Sequence, residues 1–258
     1  MPQDDPQFEI RLAENTQDLR AAQRLRYEVF VRELGGDGAL VDHANGLERD
    51  RFDPFYDHLI LVDNTRDAAA LDHVVGVYRL MPGERAERAG GFYSAGEYDL
   101  APLLDSGRRL LELGRSCVHA DYRGGMALHH LWNGLGAYIL DRDIEVLFGV
   151  ASFHGTDQAA LAMPLSFLHH NHLAPEELRV RARQGHFAPM DIVSPDAIDR
   201  PAAVRAIPAL IKGYLRLGGF VGEGAYVDHD FNTTDICLVM ETARIGARQR
   251  ALYAGGRG

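Results

Sequence analysis

The chain is nearly without lysine: its 27 basic side chains include one, Lys212, and the rest are arginine. No arginine cluster is dense enough to form a polybasic tract. Against them stand 37 acidic residues, a formal net charge of −10. That balance argues against non-specific nucleic-acid binding, which wants a basic face. It suits a cationic small substrate, although acidity also serves solubility alone. The only two cysteines, Cys117 and Cys237, are far apart and each lies in an apolar run. This excludes a disulfide scaffold and fits a reduced cytoplasmic protein. No stretch reaches the roughly 18 consecutive apolar residues of a transmembrane helix. The acidic opening MPQDDPQFEI lacks the apolar core of a signal peptide. What is present is ordinary globular composition, 46% hydrophobic and 25% charged over 258 residues.

Hydrophobic period and turn residues divide the chain. FEIRLA alternates as a strand, and Asn15 and Thr16 are cap candidates for a helix through QDLRAAQRLRYEVFVRELG. An Asp-rich linker follows, too long for a simple turn; loops of that length are usually functional or disordered. HLILVD and HVVGVYRLM read as a hairpin, and residues 82–91 as a charged, Gly-rich loop. Strands are expected at 108–118 and at EVLFGVASF, the latter apolar enough for burial on both faces. Helices are expected at 126–141, at about 156–170 and at 202–217, then strands at FVGEGAYVD and TDICLVME. This order predicts a mixed α/β fold, one sheet covered by helices. A single domain spans 8–245, with a C-terminal extension from about 175 and flexible tails at 1–7 and 246–258.

The segment LLELGRSCVHADYRGG, residues 110–125, carries the chemistry. Glu112 and Arg115 lie inside a core strand, where an unpaired charge is costly. Three residues apart, they point to opposite faces of a regular strand, so aiming both into one cavity needs a bulge, expected at Gly114. The alternative is a structural salt bridge. The turn Tyr122-Arg123-Gly124-Gly125, running into a helix, suits an anion: glycines admit it to backbone N–H groups and the helix N-terminus adds positive charge. Cys117 reads as packing rather than an acyl-accepting nucleophile. The cluster His169 to His172 lacks a second ligand set, so no metal site is expected.

Val118-x3-Tyr122-Arg123-Gly124-Gly125 before an apolar helix resembles the acyl-donor turn of the GCN5-related N-acyltransferase (acyl-CoA N-acyltransferase) fold. That resemblance implies a mixed central sheet with two splayed parallel strands, here 108–118 and 145–153, and flanking helices. The chain departs from the usual Arg-Gly-x-Gly-x-Gly/Ala run. Its pattern is closer to the branch that uses acyl carrier protein, which includes the N-acyl-homoserine lactone (autoinducer) synthases. Arg26-x2-Val29-Phe30, Asp50-Arg51-Phe52-Asp53, Arg79 and Glu112-x2-Arg115 match that branch in order. LELGRSCVHADYR, LFGVASFHGTD and LSFLHHNHLAP are closer still to the ornithine-lipid N-acyltransferases. The likeness covers roughly residues 8–185.

The resemblance implies transfer of a 3-hydroxyacyl chain from acyl carrier protein to the α-amine of ornithine, giving lyso-ornithine lipid. Other amino acceptors are the alternative: glutamine, glycine, lysine or an autoinducer precursor. A catalytically dead acyl-binding module is the alternative of a different class. No cofactor is bound permanently; the acyl-phosphopantetheine of the carrier is a co-substrate. Glu112 is the candidate base, since an α-ammonium of pKa about 8 must lose a proton before attack. Arg115 and Arg79 either clamp the amino-acid carboxylate or hold Asp50 and Asp53, and those aspartates suit a cationic side chain. Arg26 and Phe30 complete the acceptor side. Cys117, Val118, His119, Arg123, Gly124, Gly125, Ser152 and Phe153 line the donor side, with backbone N–H groups near Cys117 to His119 facing the oxyanion. The acidic carrier needs a local basic patch, with Arg179, Arg181 and Arg183 as candidates. The location expected is the cytoplasm; contact with the inner face of its membrane stays open.

Overall fold

The first helix starts where the sequence supplies a cap: Asn15 accepts a hydrogen bond from the Asp18 N–H at 2.9 Å. In chain order the elements begin with β1 (Phe8–Leu12), α1 (Thr16–Arg26), β2 (Asp57–Asp63), β3 (Val74–Pro82) and α2 (Gly83–Ala89). Next come β4 (Tyr98–Asp99), α3 (Ala101–Leu104), β5 (Leu110–Val118), α4 (Ala127–Asp141), β6 (Val146–His154) and α5 (Gln158–His172). The last are β7 (Arg181–Ala182), β8 (Phe187–Ala188), α6 (Arg200–Ala206), α7 (Ala209–Arg216), β9 (Phe220–Val221), β10 (Ala225–Asp228) and β11 (Thr233–Glu241). The computed structural model describes residues 5–245, so of the tails expected at 1–7 and 246–258, residues 1–4 and all of 246–258 lie outside the described residues.

The described chain forms two compact units, with β5 contributing Leu113–Val118 to the first and Leu110–Glu112 to the second. In the first, β1, β2 and β3 form an antiparallel meander, paired from Phe8↔Asp63 to Leu12↔Leu59 and from Asp57↔Leu80 to Val62↔Val74. The apolar stripe Ala21, Ala22 and Leu25 of α1, continued by Val29, packs on Ile60, Val62, Val74, Val77 and Cys117. On α4, Gly134 is needed for close approach: a Cβ there falls 2.5 Å from Ile10 Cγ1. The helix after α1 widens into a π-turn over Tyr27–Glu33, with the Leu34 N–H donating to Val29 O at 3.2 Å. Residues 83–89, expected as loop, are helical, with Ala86 and Ala89 buried and the charged side chains turned outward.

In the second unit, β6 and β11 make a nine-residue antiparallel ladder from Val146↔Glu241 to His154↔Thr233. β10 and β9 also pair with β11, β8 pairs with β10, and β5 pairs parallel to β6 over Leu110↔Val146 to Glu112↔Phe148. Fully buried Tyr98 donates to Gly224 O and Asp235 O at 2.9 and 3.0 Å. The helix expected over 202–217 is two helices. Pro208 has no N–H and pushes Ile207 to an extended conformation, φ −69° and ψ 131°, so α6 stops and α7 restarts at a new angle.

Candidate active site

Three arginines with apolar surroundings meet three carboxylates in the first unit. α1 ends in Arg26 and β3 carries Arg79, both fully buried, while β5 supplies Arg115. The linker supplies Glu48, Asp50 and Asp53. Arg26 grips Asp53 bidentately, Nη1 to Oδ1 at 2.8 Å and Nη2 to Oδ2 at 3.0 Å, and donates from Nε to Glu48 at 2.5 Å. Arg79 Nη1 donates to Asp50 and to Asp53, both at 2.8 Å, and its guanidinium stands 4.2 Å from the Tyr56 ring centre. Arg115 Nε donates to Glu48 at 3.1 Å, and its Nη2 lies 3.8 Å from Asp50. Three positive charges thus balance three negative ones, and burial without that balance would be prohibitive.

The balance shows in the titration of Glu48 and Asp53. Burial alone would raise the Glu48 carboxyl, but Arg26, Arg115 and Arg79 outweigh it and hold it at about 2. Asp53 is likewise pushed up by burial and pulled well below the carboxylate range by Arg26 and Arg79. His58 donates from Nε2 to the Asp53 carbonyl at 3.0 Å. Burial, reinforced by Arg26, lowers it from its ordinary 6.5 to about 4. Its folded pKa lies below its unfolded one, so unfolding takes up a proton between the two values. The stability of the neutral ring is therefore present above 6.5 and lost as pH falls through about 4. The melting temperature should drop across that window, and His58→Gln should flatten the drop. An unchanged slope in the variant would assign the acid sensitivity elsewhere.

Of the two roles expected, Arg79 takes that of holding Asp50 and Asp53, whereas Arg115 holds Glu48 and lies farther from Asp50. Asp53 has both oxygens engaged, Oδ2 also accepting from Gln23 at 2.9 Å, so it offers nothing to an incoming cation. Asp50 keeps 20% of its side chain exposed, and its Oδ1 caps the Phe52 N–H at 2.9 Å. Arg115, 17% exposed, is the arginine of the three with an edge toward water, 5.9 Å from the Phe30 ring centre.

The irregularity in β5 falls on Arg115 rather than Gly114. Arg115 takes φ +49°, in the left-handed region, whereas a Cβ on Gly114 would meet Tyr56 and Arg79 at ordinary contact distances of 3.7 to 3.9 Å. A non-glycine residue there costs about 1–2 kcal/mol; the ion pair with Glu48 offsets it. Glu112, in the second unit, is 1% exposed and accepts from the backbone N–H groups of Tyr93 at 2.9 Å and Ser94 at 2.6 Å.

The turn expected to bind the donor lies in the first unit. Gly124 takes φ +77° with open space around it, and Gly125 is nearly as open. Arg123 donates to Val118 O at 3.0 Å and to Glu33 at 2.8 Å, while Tyr122 fixes the turn to β2 by donating to Asp63 at 2.6 Å. A cavity of about 450 Å³ opens beside the turn, between Val29, Glu33, Leu71, His119 and Ala120. The His119 N–H, expected to face an oxyanion, is already donated to Val75 O at 2.9 Å. Cys117 is buried, and burial pushes its thiol up to about 12. The native protein should therefore resist iodoacetamide at pH 8, and Cys117→Ala should keep any turnover the wild type shows; rapid alkylation with loss of activity would contradict this. On β6, Ser152 faces solvent and Phe153 is core.

The first unit thus gathers Arg26, Phe30, Asp50, Asp53, Arg79, Arg115 and the 117–125 turn, and the second holds Glu112, Ser152 and Phe153. Glu48, Gln23 and His58 were not singled out in the sequence. A charge count could have found Glu48: three buried arginines need three carboxylates, and the motif names only two.

Comparison with known proteins gives the family. The model of the Acetyltransferase (GNAT) domain matches residues 25–133. The chain is 61% identical over 246 residues, 95% of its length and 94% of the relative's, to an L-ornithine N(alpha)-acyltransferase of Rhodobacter capsulatus. It is 43% identical over 248 residues, 95% of this chain and 88% of the relative, to a protein of the same name from Brucella abortus. Among solved structures, the CoA-dependent acyl-homoserine lactone synthase BjaI superposes with a TM-score of 0.54 at 14% identity, covering 96% of this chain and 89% of that one. The chain is therefore an N-acyltransferase of the GCN5-related fold and belongs to the L-ornithine N(alpha)-acyltransferase family.

Proposed function

We propose that the protein transfers a 3-hydroxyacyl chain from acyl carrier protein to the α-amine of L-ornithine, the first step in building an ornithine lipid. The observation that supports this most is the charge-balanced cluster of Arg26, Arg79 and Arg115 with Glu48, Asp50 and Asp53, because its water-facing edge is Arg115. A guanidinium held at that edge suits the acceptor's carboxylate. Asp50, at the same edge, is the aspartate left to receive the side-chain ammonium. Glu112, three residues before Arg115 on β5, takes the α-ammonium proton.

The nitrogen lone pair then attacks the thioester carbonyl. The C–N bond forms, the attacking nitrogen sheds its second proton, the tetrahedral oxyanion collapses, the C–S bond breaks, and the pantetheine sulfur leaves as a thiol with that second proton while the one on Glu112 passes to water. The anion-accepting turn at Arg123 to Gly125 holds the donor's phosphate. Among the described residues no helix is long and apolar enough to cross a membrane.

The test is purified protein with 3-hydroxyacyl carrier protein or the matching acyl-CoA, each with a mixture of amino acids, followed by mass spectrometry. The expected product is acyl-ornithine, formed from the carrier-bound donor. A different acylated amine, or product from acyl-CoA alone, contradicts the proposal.

A further inference from the structure

Neither backbone nor packing accounts for the glycine at position 114. It stands inside β5, where glycine weakens a strand and marks a bulge or the close approach of another group. The positive φ in β5 belongs to Arg115, so the bulge expected at Gly114 is not the reason. A Cβ at 114 would stand 3.7 Å from Tyr56 Oη and 3.9 Å from both Nε and Nη2 of Arg79, ordinary contacts that an alanine could make. Gly114 is itself partly exposed, so the notch over those three atoms has an opening.

The floor of the notch carries a second observation. Arg79 is fully buried, and its ion pairs with Asp50 and Asp53 both leave from Nη1. Its Nε–H has no hydrogen-bond acceptor; among the described residues it is the one buried arginine nitrogen of which that is true. A buried donor on a charged group is costly to leave unmade. Other arginines are used within the fold, including those expected from the sequence to form a docking patch. Arg179 donates to Ala174 O at 2.8 Å, Arg183 to Ala95 O at 2.7 Å, and Arg181 pairs with Glu223. The carbon between Nε and Nη2 of Arg79 is no nearer to 114 than the two nitrogens are, so the guanidinium turns an edge to the notch, not its flat face. Two N–H groups side by side on such an edge match a carboxylate.

We propose that Gly114 selects the acceptor: its missing side chain admits the amino acid's carboxylate to the Nε–Nη2 edge of Arg79, with the Tyr56 hydroxyl alongside. This rests on the reading that the acceptor is an α-amino acid. Arg115, at the next position, is the proposed outer contact for the same carboxylate. Both guanidinia meet Asp50 Oδ2, at 2.8 Å from Arg79 and 3.8 Å from Arg115, so they stand side by side. A carboxylate suits the notch better than a neutral oxygen, because a charge-assisted hydrogen bond to a buried cation is the stronger one.

The experiment varies ornithine and 1,4-diaminobutane, which is ornithine without its carboxylate, against one acyl donor in excess. Wild type should prefer ornithine in kcat/KM by about 100-fold or more. Gly114→Ala should raise the KM for ornithine by about tenfold or more with kcat within about threefold, and leave the diamine within about twofold. Its melting temperature should hold or rise by about 1–4 °C, since alanine suits a strand better than glycine. Gly114→Ser, whose hydroxyl can accept from Nε, should raise KM as much and melt no lower than Gly114→Ala. A folded Gly114→Ala with the wild-type KM would leave the notch to water and overturn the proposal. Equal losses on both amines, or a lowered melting temperature, would overturn it too, the latter by making the glycine structural. Equal use of the two amines by wild type would overturn it without any variant. Wild type that acylates a different α-amino acid would overturn the ornithine reading alone, and the same comparison with that acid and its decarboxylated amine then decides the notch.

Discussion

Glu112→Gln is expected to lower kcat by about 10²- to 10⁴-fold, the range for loss of a positioned proton acceptor. The same substitution has a structural cost that must be separated from it. The carboxylate receives two backbone N–H groups, from Tyr93 and Ser94, and a glutamine can offer its carbonyl oxygen to one of them while its amide faces the other. One mismatched buried N–H costs about 1–3 kcal/mol. In a chain of this size that lowers the melting temperature by about 2–4 °C per kcal/mol, leaving the enzyme folded at 25 °C. A base therefore shows as a large loss of kcat with a small loss of stability and unaltered donor binding. A residue that only clamps the turn at Tyr93 would show the reverse: near-normal kcat at low temperature and a lowered melting point.

Glu48→Ala is expected to give the largest loss of stability, about 3–5 kcal/mol, because it strands buried cations rather than removing a favourable contact. Arg26 loses the partner at its Nε, and Arg115, whose backbone is left-handed, loses its 3.1 Å ion pair. Turnover should fall with it, since Arg115 is the proposed contact for the acceptor. The pair can be tested as a unit. Arg26→Met combined with Glu48→Leu should destabilise less than the sum of the single changes, because each single change leaves a charge that the double change removes. Additive losses would mean that the two side chains do not depend on each other.

How much of this was readable in the sequence depends on which force decides each feature. The β2–β3 hairpin and the apolar β6 strand follow from hydrophobic runs and turn residues, and burial dominates there. The π-turn after α1 does not, because Val29 and Phe30 satisfy a helical stripe whether the hydrogen bonds run to the fourth or the fifth residue. The break at Pro208 was in plain view, but the apolar period across 202–217 masked it. Arg26, Asp53 and Arg79 came from the spacing of a family pattern, which names the residues without saying who pairs with whom. Local preference failed at Gly114 and Arg115. Intrinsic backbone freedom favours glycine for positive φ, yet the chain puts arginine there, because the side chain must reach Glu48 and the ion pair outweighs the backbone penalty.

The account's central claim is amide formation at the α-nitrogen of ornithine from a carrier-bound thioester. Fragmentation of the product made by wild-type protein from ornithine and 3-hydroxyacyl carrier protein tests it most directly. The account predicts the acyl group on the nitrogen next to the carboxylate, where Arg115 would hold it. An acyl group on the δ-nitrogen would contradict it.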